Sequence, residues 1–154
     1  MDRFNYRTSV CGVCGNEQGV LYLIDSEFNG ETDLDFRPYG SVRDSMCSWI
    51  QTCKKCGFVS YQLELGRIED YALLQSREYK ECEGVDFVSG LAPGYYQQGM
   101  IFLNRKQYFN AYLSFLQAAW VCDSEEDDTD VAARLCREKA ACIFEKVKTK
   151  RTIS

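Results

Sequence analysis

The sequence predicts an α+β fold in which a small antiparallel β unit with an insertion precedes an α-helical unit. Three observations carry that expectation. Cys-x-x-Cys-Gly occurs twice, at Cys11 to Gly15 and at Cys53 to Gly57; short apolar or alternating runs of strand length follow each copy; and from Leu65 onward apolar residues recur at spacings of three and four. The change of period sets the boundary, giving units at residues 1–65 and 66–154.

The 154 residues suffice for one ordinary domain or two small units. Hydrophobic residues make up 45%, charged residues 27%, and there are only two prolines, which is the composition of a folded chain. No apolar run approaches the roughly 20 residues that cross a bilayer. Charges at Asp2, Arg3 and Arg7 sit where a secretion signal would be apolar. A cytoplasmic, reducing setting away from membranes is therefore expected.

Nine cysteines, an odd number spread over both halves, do not form the pattern of a disulfide scaffold. Four of them have a specific arrangement. In each Cys-x-x-Cys-Gly copy a tight turn can aim two thiolates at one point, while the trailing glycine can take the positive φ that leaves backbone N–H groups facing sulfur. Cys11, Cys14, Cys53 and Cys56 thus supply four soft ligands, the set that closes a tetrahedral structural Zn²⁺ site. An iron centre would use the same spacing. A pair of redox dithiols is the other alternative, but that chemistry normally opens a helix in a βαβ pattern, which is not evident here.

Between the two copies lie 38 residues, more than a compact site needs, so the β unit carries an insertion. Gln18 to Asp25 is rich in apolar and β-branched residues, is bounded by Gly15 and the Asn29-Gly30 turn signal, and is expected to be a strand. Met46, Trp49 and Ile50 allow a short helix over 44–52, and Phe58 to Leu65 alternates like a second strand. Asp33, Asp35, Arg37, Pro38, Arg43 and Asp44 describe a charged loop. Asp33 and Asp35 could bind a cation, and Arg37 and Arg43 could clamp an anion, or these charges could face water and pair with one another. The four residues Asp33, Asp35, Arg37 and Arg43 are the candidate ligand site outside the cysteines.

Ile68, Tyr71, Ala72, Leu74, Tyr79 and Cys82 fall near one helical face and predict a linking helix that ends at Gly84, with Glu69, Asp70, Arg77, Glu78, Lys80 and Glu81 as its solvated side. Further on, Val131, Leu135, Cys136, Ala140, Ile143, Phe144 and Val147 form a stripe over 130–148, acidic at its start and basic at its end as a helix dipole favours. The run from Ser124 to Asp128 is expected to be a solvated turn. Cys82, Cys122, Cys136, Cys142 and Cys47 are expected to be core residues, since none of them sits in a Cys-x-x-Cys turn.

Tyr95, Gly99, Phe102, Tyr108, Ala111, Phe115 and Ala118 follow a pattern in which an aromatic precedes a small residue and a later A-x-x-x-F lies on a second helix. The stretch from Ala92 to Glu125 resembles one tetratricopeptide repeat of about 34 residues, with Gln98 in place of the usual leucine and Asp123 in place of the closing proline. A lone repeat cannot bury its apolar face, so the following helix is expected to complete the stack. The order of modules, a zinc ribbon with two Cys-x-x-Cys-Gly knuckles and then repeat-like helices, resembles that of uncharacterised bacterial proteins combining the two. That resemblance implies an intracellular zinc protein with a helical protein-binding surface. Tyr95, Tyr96 and Trp120 are the contact candidates on it, with packing against neighbouring helices as the alternative.

Charge argues against nucleic acid as the partner. Residues 1–85 hold nine basic and fourteen acidic side chains, residues 86–154 nine of each, and four thiolates on Zn²⁺ add two further negative charges to the first unit. Only a local patch of Lys54, Lys55, Arg37 and Arg43 would offset this. Catalysis has little support: the chain has no histidine, a four-cysteine zinc site has no open position, and no nucleophile or carboxylate pair is arranged for chemistry.

Overall fold

Strand β1 (Arg3–Val10) and strand β2 (Glu17–Asp25) form an antiparallel hairpin whose turn is the first cysteine motif. Their register runs from Val10 opposite Glu17 to Phe4 opposite Leu23, with an irregularity between Arg3 and Phe4. The apolar pattern conceals β1, because Tyr6 and Val10 point to solvent while Ser9 and Cys11 are buried. In this computed structural model the described residues are 3–25, 28–32, 38–40, 49–87, 91–124 and 130–153. The chain divides into two compact units, Met1–Glu69 and Asp70–Ser154.

Three expectations for the first unit change. Asn29-Gly30, expected to be a turn, lies inside β3 (Phe28–Thr32), which pairs irregularly with β4 (Pro38–Gly40). A disturbed ladder is where a strand tolerates Asn and Gly, and Pro38 sits at the first position of its strand. The helix expected over 44–52 is absent from its described part. Gln51–Thr52 is instead strand β5, extended because it pairs across the second cysteine turn with β6 (Val59–Ser60). The strand expected to reach Leu65 stops at Ser60. Ser60 Oγ accepts from the Gln62 amide at 3.3 Å, and the Gln51 side chain accepts from the Leu63 amide at 3.1 Å. These bonds draw the chain out of the ladder and into a 3₁₀ turn, Leu63–Leu65. Leu63 is buried there, as are Val20, Phe58 and Val59.

The linking helix is broken. It consists of a 3₁₀ turn at Ile68–Asp70, helix α1 (Tyr71–Leu74), helix α2 (Arg77–Lys80) and a 3₁₀ turn at Cys82–Gly84. Ser76 causes the break between α1 and α2. Its extended backbone ends one helix, and its hydroxyl caps the next by accepting from the Tyr79 amide while donating to the Leu73 carbonyl at 2.7 Å. Leu74, Tyr79 and Cys82 are buried as expected, but Ile68 and Tyr71 are exposed. Asp70, expected on the solvated side, is only 1% exposed and is bound by the Arg105 guanidinium. Cys82, Glu83 and Gly84 all have positive φ, which stops helical continuation.

Helices α3 (Leu91–Asn104) and α4 (Tyr108–Ser124) form a helical hairpin against which α5 (Asp130–Ile153) packs. Tyr95, Ile101, Ala111, Phe115 and Ala118 are buried in it. At Gly99 a Cβ would lie 2.8 Å from the Phe115 ring, so glycine is what lets the α3 backbone meet that ring. Phe115 has little room to yield, since Tyr96 packs edge-on to it at 4.8 Å. Tyr95, Tyr96 and Trp120 prove to be core residues rather than surface contacts.

On α5 the buried stripe is Ala132, Ala133, Cys136, Ala140 and Ile143, whereas Val131 and Phe144 are 61% and 42% exposed. Cys136, Ala140 and Ile143 are buried as expected, but periodicity weighted toward large side chains overlooked Ala132 and Ala133. Cys82, Cys122 and Cys136 are buried, but Cys142 is exposed, contrary to expectation; of the turn expected over Ser124 to Asp128, Ser124 is the last residue of α4 and the rest, like Cys47, lies outside the described residues. Glu83 accepts from the Tyr96 hydroxyl at 2.8 Å and from Lys139 Nζ at 2.9 Å. Burial opposes ionisation of Glu83, but these two donors hold its carboxyl below the usual carboxylate range. Among the described residues no helix is long and apolar enough to cross a membrane.

Two substitutions should separate the forces in the helical unit. Gly99→Val is expected to cost about 1–3 kcal/mol in urea unfolding, because the added methyls meet a ring with no space to retreat. Arg105→Met leaves the Asp70 carboxylate buried without its cation and should cost about 3–5 kcal/mol by the same measurement.

Candidate metal centre

The two cysteine turns are built alike. In the first, the Cys11 amide donates to the Asn16 carbonyl at 2.9 Å and the Gly15 amide to the Cys11 carbonyl at 2.8 Å. In the second, Cys53 donates to Phe58 at 2.8 Å and Gly57 to Cys53 at 3.0 Å. Gly15 and Gly57 have φ of 76° and 83°, the left-handed conformation that their place after the second cysteine requires. Each turn thereby brings two thiols to one side, and the Val13 amide lies 3.4 Å from Cys11 Sγ.

The four sulfurs converge, all within 4.8 Å of one another. Cys11 Sγ and Cys56 Sγ are 3.7 Å apart, and Cys14 Sγ and Cys53 Sγ 3.6 Å. Both contacts cross between the turns. A disulfide requires about 2.05 Å, so these are free thiols. Metal–sulfur bonds of about 2.3 Å in a tetrahedron give sulfur–sulfur edges of about 3.8 Å, close to the separations observed. Cys11 and Cys53 are buried, while Cys14 and Cys56 are partly open. The cluster is compatible with a bound metal ion.

Electrostatics favours the same fit. Burial raises the pKa of Cys11 and of Cys56. For Cys53 burial acts in the same direction but is outweighed by the backbone N–H groups of Cys56 and Lys55, which help bring it down to about 7. Thiols this crowded cannot all ionise on their own. A cation among them would remove that conflict.

Several contacts that hold the turns together escaped sequence reading. The Gly12 amide donates to the Leu63 carbonyl at 2.8 Å, and a Cβ on Gly12 would fall 2.2 Å from the Gly66 carbonyl oxygen. The Gln18 side chain reaches the backbone on both sides of Cys53. Gly12 stands in plain view inside the first motif, but its partner Gly66 is far along the chain. Nothing local signals that the two backbones touch.

Asp33, Asp35, Arg37 and Arg43 lie outside the described residues, so the charged loop adds nothing to this geometry. Lys54 and Lys55 are exposed on the second turn. Among the described residues the four cysteines are the one group of Cys, Asp or Glu side chains able to hold a metal ion. No protein-family model, curated protein or solved structure matches this chain, so the centre is defined by its own residues.

Proposed function

We propose that Cys11, Cys14, Cys53 and Cys56 bind one structural Zn²⁺ and that the protein is a non-catalytic interaction module whose helical part contacts another protein. The convergence of four sulfurs from two alike turns is the observation that carries this reading. Zinc is the ion we favour because four thiolates close it into a redox-inert tetrahedral site, whereas iron would take the same four ligands as a redox centre. The absence of histidine from the chain removes the commonest general base and leaves the closed site without an evident catalytic companion.

For the partner surface we favour the outer stripe of α5. Val131, Leu135 and Cys142 are all exposed, at spacings of four and seven, which places them on one helical face. A cleft of about 340 Å³ borders that stripe, lined in part by Leu135, Glu138, Lys139 and Cys142. Nucleic acid is the weaker reading, supported only by the exposed pair Lys54 and Lys55 against the acidic balance of the first half.

Elemental analysis of purified protein should find one zinc per chain, and Cys11→Ser with Cys53→Ser should abolish it. Structural zinc supplies about 10–16 kcal/mol of apparent binding free energy in small peptides near neutral pH. Strong chelation should therefore unfold the first unit, read as loss of its dispersed amide resonances, while the α-helical circular dichroism persists. For the surface, a protein captured by the wild type should be lost from a Val131→Glu, Leu135→Glu variant of unchanged helicity; equal capture would remove α5 as the contact.

A further inference from the structure

The two hairpins that carry the cysteines share no backbone ladder, since β1 pairs only with β2 and β5 only with β6 among the described strands. Something else must set the distance between the two pairs of sulfurs. Gln18, on β2 just past the first turn, has the contacts to do so. Its Nε2 donates to the Thr52 carbonyl at 2.9 Å, and its Oε1 accepts from the Lys54 amide at 3.0 Å. One side-chain amide thus reproduces the two-way bonding of a strand pair, on the residues immediately before and after Cys53. The same Oε1 accepts from Asn16 Nδ2 at 3.0 Å, and that nitrogen lies 3.9 Å from Cys53 Sγ. Every polar atom of the Gln18 side chain is therefore committed to Cys53 or to its neighbours.

We propose that Gln18 is a positioning residue of the metal centre, holding Cys53 Sγ at the 3.6 Å separation from Cys14 Sγ that suits two ligands of one shared ion. The proposal rests on the metal reading above. It assigns Gln18 a role that neither ligation nor core packing explains: the side chain is half-buried, touches sulfur only through Asn16, and matches the donor and acceptor of another strand's backbone. Groups that orient metal ligands typically change affinity by about 10-fold to 100-fold when removed. Glutamate at this position would keep the acceptor for Lys54 and Asn16 and lose the donor to Thr52.

The test compares wild type, Gln18→Ala and Gln18→Glu in the full chain. Zinc content is measured first, then the rate of zinc release to excess chromogenic chelator, then the visible absorption of the Co²⁺-substituted proteins, which reports ligand geometry. Gln18→Ala is expected to bind one zinc, to release it at least about tenfold faster than wild type, and to shift the Co²⁺ bands. Gln18→Glu should fall between the two. Wild-type release and an unshifted Co²⁺ spectrum in Gln18→Ala would overturn the positioning role while leaving the metal reading intact. If Gln18→Ala does not fold, Gln18→Glu decides, and wild-type release from it would overturn the proposal. Wild-type protein without metal would overturn the metal reading itself, and this is seen before any variant is made.

Discussion

Four sulfur atoms held within 4.8 Å of one another are the constraint on which the first unit depends. Four thiolates at that density would be tolerable only beside a cation. Among the residues whose side chains are described, Phe58, Val59 and Leu63 are the fully buried apolar ones there besides the cysteines, with Val20 nearly so. Small β units of this kind seldom stand on apolar burial alone, and a metal commonly replaces the missing interior. The paired amide bonds in each turn, the contact of Gly12 with Gly66 and the Gln18 bridge all serve to bring the sulfurs into register.

The second unit is stabilised differently. Its helices bury tyrosine, phenylalanine and alanine side chains, and the Gly99 backbone approaches the Phe115 ring too closely to admit a Cβ. Polar groups within it are paired rather than excluded, as in the Asp70–Arg105 ion pair and the bonds that Tyr96 and Lys139 make to Glu83. The run of left-handed residues at Cys82–Gly84 is conformationally costly, and those Glu83 contacts lie on it, so packing and ion pairing appear at the same point as the strain they offset.

What could be read from the sequence follows the range of the physics. Turn geometry is local to each Cys-x-x-Cys-Gly motif, so the convergence of the four cysteines and the left-handed glycines were legible. The α3–α4 hairpin was legible too, because its contacts repeat every three or four residues. Strand β1 was missed since Tyr6 and Val10 face water while a serine faces inward. The break at Ser76 turns on one hydroxyl, which apolar periodicity does not register. Asp70 and Arg105, Gly12 and Gly66, and Gln18 and Lys54 are all pairs distant in the chain, and no local pattern announces such a meeting. Ala132 and Ala133 on α5 were hidden by attention to larger residues, Val131 above all.

Cys14 and Cys53 are 39 positions apart, and that separation has a consequence for biosynthesis. While a ribosome is still adding the insertion, the nascent first hairpin displays two neighbouring thiols whose companions do not yet exist. For the metal ion proposed above, loading would have to wait until Cys56 has left the exit tunnel, with the early pair of thiols open in the interval to oxidants and to competing ions. On the proposed reading, assembly of the first unit would be timed by translation of Cys56 and by the metal supply at that moment, a constraint that does not reach the helices made afterwards.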